Sequence, residues 1–341
     1  MPTKEDLKYF QSMPLDIKVA MTRTRIREWV NYFGESGVYV SFSGGKDSTV
    51  LLHLVRELYP DVPAVFVDTG LEYPEIRSFV KTFENVTFLK PSMRFDKVIQ
   101  TYGYPVIGKE VSFKIFHARK GSPWAVRAVN GERLDDDGNP SRYNIEKYKA
   151  LLDVDFVIGN DCCNIMKKNP AHKYAKTNDR KPIIATMAAE SMLRTQKWIQ
   201  NGCNAFETKI PTSNPMSFWT ENDVLQYIHE NNIPIASVYG DIIKDEGQMS
   251  MFESNEGCKF RTSGCDRTGC IFCGFGAHME QESRFKRLKE THPKQYNYCI
   301  GGGKYDIDGL WKPDKRGLGM GHVFDELNKL YSKGGKPFID Y

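Results

Sequence analysis

Hydrophobic residues in the first two thirds of the chain follow two alternating patterns. Short runs rich in β-branched and aromatic residues, at 37–43 (GVYVSFS) and 63–70 (PAVFVDTG), are typical of strands buried on both faces. Between these runs, the hydrophobic residues of 50–58 recur at helical spacing and leave the polar residues on the opposite face. Strands that alternate with helices in this way indicate βαβ units and therefore a parallel sheet.

The same alternation continues along the chain. It predicts a helix at 73–84, a strand at 86–91, a strand that enters a helix within 180–199, a helix at 218–232 and another near 279–291. The helix at 218–232 has Thr220 and Asp223 at the spacing of a capping box, although Asp replaces the usual Glu or Gln. We therefore expect an α/β fold in which helices flank a parallel sheet.

The pattern changes in two places, which predict an insertion and a separate C-terminal region. Between 104 and 160 the periodicity weakens, and Gly, Asp, Asn and Pro gather at 130–144 (NGERLDDDGNPSRYN). We interpret this region as a mostly helical insertion with one exposed loop. Strand signals then fade in the last third of the chain, which is rich in Gly and Cys. The predicted organisation is an α/β domain at 1–240 and a Cys-rich, mostly irregular and helical region at 241–341.

The composition is that of an ordinary globular protein, with 341 residues of which 40% are hydrophobic and 26% charged. The formal charge of +4 is too small to indicate a polyanionic partner. No run is long enough for a transmembrane helix, and the first residues lack the apolar core of a signal peptide, so we expect a cytoplasmic protein without membrane contact. In that reducing compartment, eight cysteines favour metal or redox chemistry over disulfides.

The stretch 41–48 (SFSGGKDS) is the strongest local signal of a ligand site. A Gly-rich turn from a strand into a helix directs backbone N–H groups and the positive end of the helix dipole at one point, which suits phosphate. Glycines would let the backbone approach the ligand, and Asp47 is expected to cap the helix. The stretch is not a Walker A loop, because Val40 replaces its first glycine and Asp47 its Ser or Thr. The residues expected to bind phosphate are Ser41, Ser43, Gly44, Gly45, Lys46, Asp47 and Ser48.

The cysteines are the second signal. Cys258, Cys265, Cys270 and Cys273 fall within sixteen residues, and the last two form a C-x-x-C motif. Ligation by sulfur alone suits either Zn²⁺ or an iron–sulfur cluster, and local spacing by itself favours zinc. Two other cysteines, Cys203 and Cys299, lie among helix residues and are expected to be packing residues.

The motifs of the chain resemble those of a known family. SGGKDS is similar to the loop of the PP-loop ATP pyrophosphatases, and further motifs follow in the order of the phosphoadenosine phosphosulfate (PAPS) reductase family. These motifs are VDTGLEYPE (67–75), GYPVIGK (103–109), DCCNIMKKNP (161–170), AAESMLR (188–194) and FWTENDVLQYI (218–228). The Cys-rich segment resembles the iron–sulfur branch that includes the DNA phosphorothioation protein DndC. The resemblance implies a Rossmann-like fold of the adenine nucleotide α-hydrolase type.

The resemblance also implies residue roles. Asp68, Thr69 and Gly70 would border the adenosine, and Arg194 would contact a phosphate, although an ion pair with Glu190 is the alternative. Reductases of the family typically have a degenerate loop, whereas this loop is complete. Many also have an arginine where this chain has Met187. Both differences favour ATP with Mg²⁺ as the nucleotide, and attack by an acceptor on its α-phosphate. The catalytic residues would be Lys46, Asp47 and Ser48.

On the DndC-like pattern, the metal group would be a [4Fe–4S] cluster with ligands Cys163, Cys265, Cys270 and Cys273. Cys258 would be an alternative ligand or a sulfur carrier, and a structural Zn²⁺ remains the alternative metal. A basic helix near 279–291 could contact nucleic acid, but burial of Phe285 and Leu288 with solvated charges is the simpler interpretation.

Three functions are consistent with these features. The first is an enzyme that adenylylates an acceptor for sulfur transfer, with a nucleic acid as the acceptor and a cysteine desulfurase as the sulfur donor. The second is a PAPS or adenylyl sulfate reductase, which would need a mobile C-terminal cysteine that the final residues do not offer. The third is a non-catalytic nucleotide sensor with a structural zinc.

Overall fold

The computed structural model describes residues 2–245 and 259–341, which form two compact units. The first unit comprises Met1–Asp68, Glu72–Lys90 and Pro170–Thr268, and the second comprises Thr69–Leu71, Pro91–Asn169 and Gly269–Tyr341. This division differs from the boundary expected near residue 240, because the insertion and the last segment of the chain fold together. Val106–Ile107 and Gly274–Phe275, for example, pair as parallel strands.

The elements are numbered in chain order. The α-helices are α1 (Lys4–Gln11), α2 (Leu15–Phe33), α3 (Lys46–Leu58), α4 (Pro74–Val80), α5 (Phe95–Tyr102), α6 (Lys109–Arg119), α7 (Pro123–Val129), α8 (Asn169–Thr177), α9 (Met192–Asn201), α10 (Glu221–Glu230), α11 (Arg284–Thr291), α12 (Pro293–Ile300) and α13 (Met320–Tyr331). The strands are β1 (Val38–Ser41), β2 (Ala64–Val67), β3 (Val86–Leu89), β4 (Val106–Ile107), β5 (Lys181–Ile184), β6 (Asn204–Ala205), β7 (Thr212–Ser213), β8 (Ile242–Asp245), β9 (Lys259–Thr262), β10 (Gly274–Phe275), β11 (Lys304–Tyr305) and β12 (Trp311–Lys312). A π-helix, Asn164–Lys168, precedes α8.

A six-stranded sheet forms the centre of the first unit, in the order β3-β2-β1-β5-β7-β6. Strands β3, β2, β1, β5 and β7 are parallel, and β6 is an antiparallel edge. This confirms the predicted α/β fold with a parallel sheet. The strand order reverses at β1, which has β2 on one side and β5 on the other. Ligands of open α/β sheets bind at the carboxyl end of the strands at such a switch point, and the Gly-rich loop follows β1 there.

The second unit contains the region expected to be a helical insertion. Helices α6 and α7 and the 3₁₀ helix Glu146–Leu152 lie in it, and Arg119 at the end of α6 organises the segment that follows. The Arg119 guanidinium donates hydrogen bonds to the carbonyls of Leu151, Leu152, Val154 and Phe156. A single cation therefore binds four backbone carbonyls at and after the end of the 3₁₀ helix. Within residues 2–245 and 259–341, no helix has the length and apolar character to cross a membrane.

A buried ion pair joins α2 to α10 in the first unit. Lys18 is 2% exposed; its Nζ lies 2.7 Å from Asp223 Oδ2 and donates a hydrogen bond to Gln11 O. The same carboxylate accepts hydrogen bonds from the backbone N–H and the hydroxyl of Thr220, which confirms the predicted capping box. Asp223 therefore positions the start of α10 against α2.

Replacing Lys18 with Ala is expected to destabilise the protein by about 3–5 kcal/mol, because the Asp223 carboxylate would remain buried without its cation. The measurement is urea unfolding followed by circular dichroism. Lys329→Ala removes an exposed lysine that pairs with Glu326, and it should leave stability nearly unchanged because water screens this pair. Equal effects of the two substitutions would contradict the structural role of the buried pair.

Candidate functional site

The Gly-rich loop joins β1, which ends at Ser41, to α3, which begins at Lys46. Gly45 is the N-cap residue, and it has no side chain that could cap the helix. The expectation that Asp47 would cap α3 is therefore wrong, because Asp47 lies inside the first turn. The helix start leaves its N-terminal dipole directed at the loop.

Two serine side chains fix the shape of the loop. Ser43 Oγ and Ser48 Oγ are 3.0 Å apart, and the backbone N–H of Ser43 donates to Ser48 Oγ at 3.2 Å. Ser48 Oγ also contacts the carbonyl of Gly45 at 2.9 Å as a donor. These hydroxyls, which we expected to face a phosphate, bind the loop's own backbone and hold its two ends together.

Positions 44 and 45 need glycine because of packing within the protein. Gly44 has a φ of +71°, and a Cβ there would lie 2.5 Å from Val80 Cγ2 and 2.8 Å from Ile76 Cγ2, both on α4. A Cβ at Gly45 would lie 3.2 Å from the Tyr239 hydroxyl. We expected glycine to allow approach of a ligand. The structure adds a stronger reason, since a larger residue at position 44 would collide with α4.

Lys46 is buried and points into a set of oxygen atoms. Its Nζ lies 3.0 Å from Glu221 Oε1 and donates a hydrogen bond of 2.8 Å to the carbonyl of Asp266. Its backbone N–H donates to the hydroxyl of Tyr239 at 3.2 Å. Burial alone favours the neutral amine, but the charges of Asp47 and Glu221 outweigh it and raise the pKa of Lys46. Lys46 therefore carries a full positive charge at neutral pH.

Asp47 carries an unused hydrogen-bond acceptor next to this lysine. Asp47 Oδ1 lies 3.7 Å from Lys46 Nζ, which is beyond hydrogen-bond distance, and this buried atom has no hydrogen-bond partner among the described residues. Burial raises the pKa of Asp47, the charge of Lys46 opposes this, and the charge of Glu221 reinforces it. A buried carboxylate oxygen without a partner is a position that a cation or a ligand donor can satisfy.

Two arginines lie within electrostatic reach of the loop. Arg194 forms an ion pair with Glu190, and Arg267 Nη1 lies 3.9 Å from the other oxygen of the same carboxylate. Both positive charges act to lower the pKa of Asp47, although its burial has the larger effect. The ion pair between Arg194 and Glu190, expected as the alternative, is thus present. A phosphate contact by Arg194 stays a prediction.

The residues expected beside the adenosine are divided between the units. Asp68 ends the first segment of the first unit, and its Oδ2 accepts a hydrogen bond of 2.7 Å from Arg77 on α4. Thr69 and Gly70 belong to the second unit, where Thr69 Oγ1 accepts a hydrogen bond from the backbone N–H of Leu71. Arg77 neutralises the Asp68 carboxylate. A contact of these three residues with a nucleotide stays a prediction.

The second unit contains four interacting cysteines. The hydrogen bond between Cys162 and Cys163, together with burial, raises the pKa of Cys162, and the charges of Cys273 and Cys270 add to this effect. Burial and the charge of Cys270 raise the pKa of Cys273 to about 11. These thiols are therefore close enough to influence one another. Among the described residues, however, no group of three or more Cys, His, Asp or Glu side chains is arranged to hold a metal ion.

Cys163 is the member of this group that ionises most readily. The hydrogen bond from Cys162 lowers the pKa of Cys163, and the positive charges of Lys109 and Lys167 lower it further against the effect of burial. Lys109 begins α6, and Lys167 lies in the π-helix that follows the cysteine pair. The thiolate therefore has two cations beside it, and a thiolate is the form that binds metal or attacks sulfur.

The other two expected ligands are not among these four cysteines. Cys265 is buried in the first unit, where its backbone N–H donates to the carbonyl of Val238, and it directly precedes Asp266. Cys258 lies outside the described residues. Two further cysteines, Cys203 and Cys299, are partly and fully buried, respectively.

The basic helix expected near 279–291 corresponds to α11, and its apolar residues are buried, as the packing interpretation predicts. Phe285 and Leu288 of α11 are fully buried. The charges of the helix are paired in part, since Arg287 bonds Glu282 and Lys286 bonds Asp340. We therefore assign α11 to packing of the second unit.

Sequence reasoning missed the groups that bind Lys46. Glu221 lies within a motif that we quoted for the resemblance, but no local pattern marks it as the partner of Lys46. Asp266 binds through its carbonyl, which any residue type supplies, and the hydroxyl of Tyr239 comes from a 3₁₀ helix far along the chain. These contacts arise from the tertiary fold.

Comparison with known proteins gives one matching family and several distant relatives. Residues 37–103 and 128–274, more than half of the chain, match the phosphoadenosine phosphosulfate reductase domain. An uncharacterized protein of Methanocaldococcus jannaschii is 23% identical over 81% of this chain, and the match spans 51% of that relative. Sulfate adenylyltransferase subunit 2 of Shewanella frigidimarina is 24% identical over 70% of this chain and 77% of its own length.

Two reductases are also similar. The phosphoadenosine 5'-phosphosulfate reductase of Photobacterium profundum is 23% identical over 74% of this chain and 79% of its own length. A crystal structure of phosphoadenylyl-sulfate reductase from Candida auris covers 70% of this chain and 91% of its own, with 15% identity and a TM-score of 0.37.

Replacing Gly44 with Ala is expected to destabilise the protein by about 1–3 kcal/mol and to weaken ATP binding at least about tenfold, because the new Cβ collides with α4. The measurements are thermal unfolding and ATP titration by calorimetry. Gly309→Ala is the control, since Gly309 has a φ of +74° with open space around it. That variant should bind ATP normally, and normal binding by the Gly44 variant would contradict the packing argument.

Proposed function

Because the chain belongs to the phosphoadenosine phosphosulfate reductase domain family, we propose that it is an ATP pyrophosphatase-type enzyme. Its reaction adenylylates an acceptor, releases pyrophosphate and activates the acceptor for sulfur transfer. The sulfate adenylyltransferase relative, which by its name transfers an adenylyl group, supports this choice among the activities of similar proteins.

The observation that carries the proposal is the environment of Lys46. A buried, charged lysine stands at the start of α3, where the N-cap residue is a glycine, at the switch point of a parallel sheet. Such a position concentrates positive charge from a helix dipole and an ammonium group at one point. Positive charge of this kind would stabilise the negative charge that develops on a departing pyrophosphate.

The proposed step is an in-line displacement at the α-phosphorus of ATP. An oxygen of the acceptor forms a bond to this phosphorus, and the bond from the phosphorus to the oxygen bridging to the β-phosphate breaks. Its electron pair leaves with pyrophosphate. Lys46 and the N–H groups at the start of α3 stabilise that charge, and Ser43 and Ser48 keep the loop in shape.

Mg²⁺ fits this site because of the acidic groups beside the lysine. Asp47 Oδ1 is buried without a hydrogen-bond partner among the described residues, and Glu221 is an ion-pair partner of Lys46 Nζ. Mg²⁺ is commonly held by one or two carboxylates together with phosphate oxygens, and it would screen the charge of the triphosphate. In this proposal, Asp47 supplies a carboxylate to that ion.

The adenylylated acceptor would then react with a sulfur nucleophile, which displaces AMP. We propose a nucleic acid as the acceptor, as in DndC-like phosphorothioation or nucleic-acid thiolation, and a cysteine desulfurase as the donor. The thiolate of Cys163 with its neighbours Cys270 and Cys273 supports sulfur or metal chemistry in the second unit. Because the described side chains form no group of three that could hold a metal ion, a [4Fe–4S] cluster with these cysteines as ligands, or Zn²⁺ as the alternative metal, stays a prediction.

Sulfite formation is the second candidate function, because a phosphoadenosine phosphosulfate reductase is among the relatives. Such a reaction reduces an already adenylylated sulfate and consumes no ATP. Release of pyrophosphate from ATP therefore separates the two functions.

Replacing Lys46 with Gln is expected to lower the rate of pyrophosphate release from ATP by about 10²–10³-fold, because one charged donor is lost from the developing pyrophosphate. The measurement is a coupled pyrophosphate assay with Mg-ATP and single-stranded DNA, tRNA or sulfate as acceptor. Lys8→Gln removes an exposed lysine of α1 and should leave the rate unchanged. No pyrophosphate release by the native chain with any of these acceptors, together with sulfite formation from an adenylyl sulfate, would contradict the proposal.

Metal binding is tested by purification of the chain without oxygen, followed by iron, sulfide and zinc analysis. We expect iron and sulfide in equal amounts, and loss of most of both in Cys163→Ser, Cys270→Ser and Cys273→Ser variants, because thiolates are the ligands of such clusters. Cys203→Ser is the control and should retain the metal. Zinc without iron in the native chain would identify the alternative metal, and retention of iron in all three variants would contradict the ligand assignment.

A further inference from the structure

A second candidate ligand site lies in the second unit, and it includes no residue of the Gly-rich loop. A pocket of about 380 Å³ is formed by the 3₁₀ helix Glu146–Leu152, the residue His278, the end of α13 and the turn that follows it. This volume lies within the range of small-molecule sites. The pocket is lined by Lys147, Tyr148, His278, Tyr331, Lys333, Lys336, Pro337 and Phe338, none of which is acidic.

Aromatic rings form the body of this pocket. The His278 ring stacks on Phe338 with centroids 4.7 Å apart and an interplanar angle of 23°. Tyr331 lies 5.2 Å from Phe338, and Tyr148 lies 5.7 Å from Tyr331. These rings hold one another in place, so the wall is preformed and presents flat apolar surface to a ligand ring.

Two polar atoms in this wall have no hydrogen-bond partner within the described part of the chain. They are His278 Nδ1 and the hydroxyl oxygen of Tyr331, both of which are buried. Native structures leave few buried polar groups unsatisfied, because each costs about 1–3 kcal/mol. Burial and the charge of Lys147 lower the pKa of His278, so its ring is neutral near pH 7. The phenol, and the imidazole in the tautomer that carries its proton on Nδ1, are thus hydrogen-bond donors that the described part of the chain leaves unused.

Three lysines surround the same pocket without an acidic partner. Lys333 and Lys336 face each other as a bridge pair across the two-residue turn Gly334–Gly335, and both of these glycines have positive φ. Like charges directly opposite each other destabilise a hairpin. Lys147 adds a third charge, with its Nζ 4.7 Å from the Tyr148 ring centroid. Among the described residues, none of the three lysines forms an ion pair.

The turn is held firmly in spite of this repulsion. Asn328 of α13 donates to the carbonyl of Ile339 at 3.0 Å and accepts from its backbone N–H at 2.7 Å. The backbone N–H of Phe338 donates to Ser332 Oγ at 3.1 Å. The chain is thus fixed on either side of the lysines, which keeps their charges at the rim of the pocket.

We propose that this pocket binds a phosphate-bearing small molecule with an aromatic base, of the mononucleotide class, with its phosphate between Lys147, Lys333 and Lys336 and its base against the rings. Several positive charges at one point match the dianionic charge and multiple acceptor oxygens of a phosphate monoester better than a single carboxylate. The site is separate from the proposed adenylylation chemistry, since it shares no residue with the Gly-rich loop.

The test follows the imidazole signals of His278 by NMR in the full chain, during titration with AMP and with inorganic phosphate. The protein has seven histidines, so the signals are assigned with a His278→Gln variant. We expect saturable shifts with both probes and tighter binding of AMP, because its base contacts the rings. The double variant Lys333→Gln/Lys336→Gln should raise the Kd for AMP at least about tenfold. Tyr331→Phe, which removes only a hydroxyl, should raise it severalfold.

The matched control is Lys304→Gln/Lys315→Gln, which removes two exposed positive charges from the same unit. Its Kd for AMP should stay within about twofold of the native value. The proposal is overturned if the pocket double variant binds AMP as tightly as the native chain, or if adenosine without phosphate binds as tightly as AMP. Absence of any His278 shift with either probe would also overturn it.

Discussion

The buried ammonium group of Lys46 is the interaction on which the first unit depends most. A charge taken out of water needs partners nearby, and here they come from distant parts of the chain: Glu221 at the start of α10 and the carbonyl of Asp266. Tyr239 adds a hydrogen bond to the backbone of the same residue. The Gly-rich loop, α10 and the segment after β9 are thereby fixed around one cation. The Lys18–Asp223 pair, which holds α10 against α2, extends this framework.

The same arrangement constrains how a triphosphate can bind. Positive charge at the loop comes from Lys46 with Arg194 and Arg267 nearby, but Asp47 and Glu221 bring negative charge to the same place. Phosphate oxygens that approach Lys46 also approach these carboxylates, and the repulsion must be offset. In the proposed function, a divalent cation held by these carboxylates would offset this repulsion, so the acidic residues are consistent with the proposal of Mg-ATP as the nucleotide.

Local sequence patterns predicted the parallel sheet, the position of the Gly-rich loop and the capping box of α10, because strand periodicity, glycine and capping are short-range properties. Local patterns could not predict the features that depend on contacts over long sequence distances. Gly44 is required by Val80, which lies more than thirty residues away, and the insertion joins the last segment of the chain in one unit. The partners of Lys46 could not be predicted for the same reason.

Charge compensation distinguishes the roles of the cationic groups in this protein. The charge of Lys18 is neutralised by Asp223, and this pair holds two helices together. The charge of Lys46 is balanced by Glu221, but the buried Oδ1 of Asp47 beside it has no hydrogen-bond partner among the described residues. The lysines near Cys163 compensate a thiolate. Lys333 and Lys336, in contrast, face each other without an acidic partner among the described residues and are held there by a rigid turn. Water solvates the charges of Lys333 and Lys336, because both side chains are exposed, whereas the buried Lys18 depends on Asp223. Without an acidic partner, the two exposed lysines stay available to an anion from outside the chain, which is what the proposed phosphate site requires.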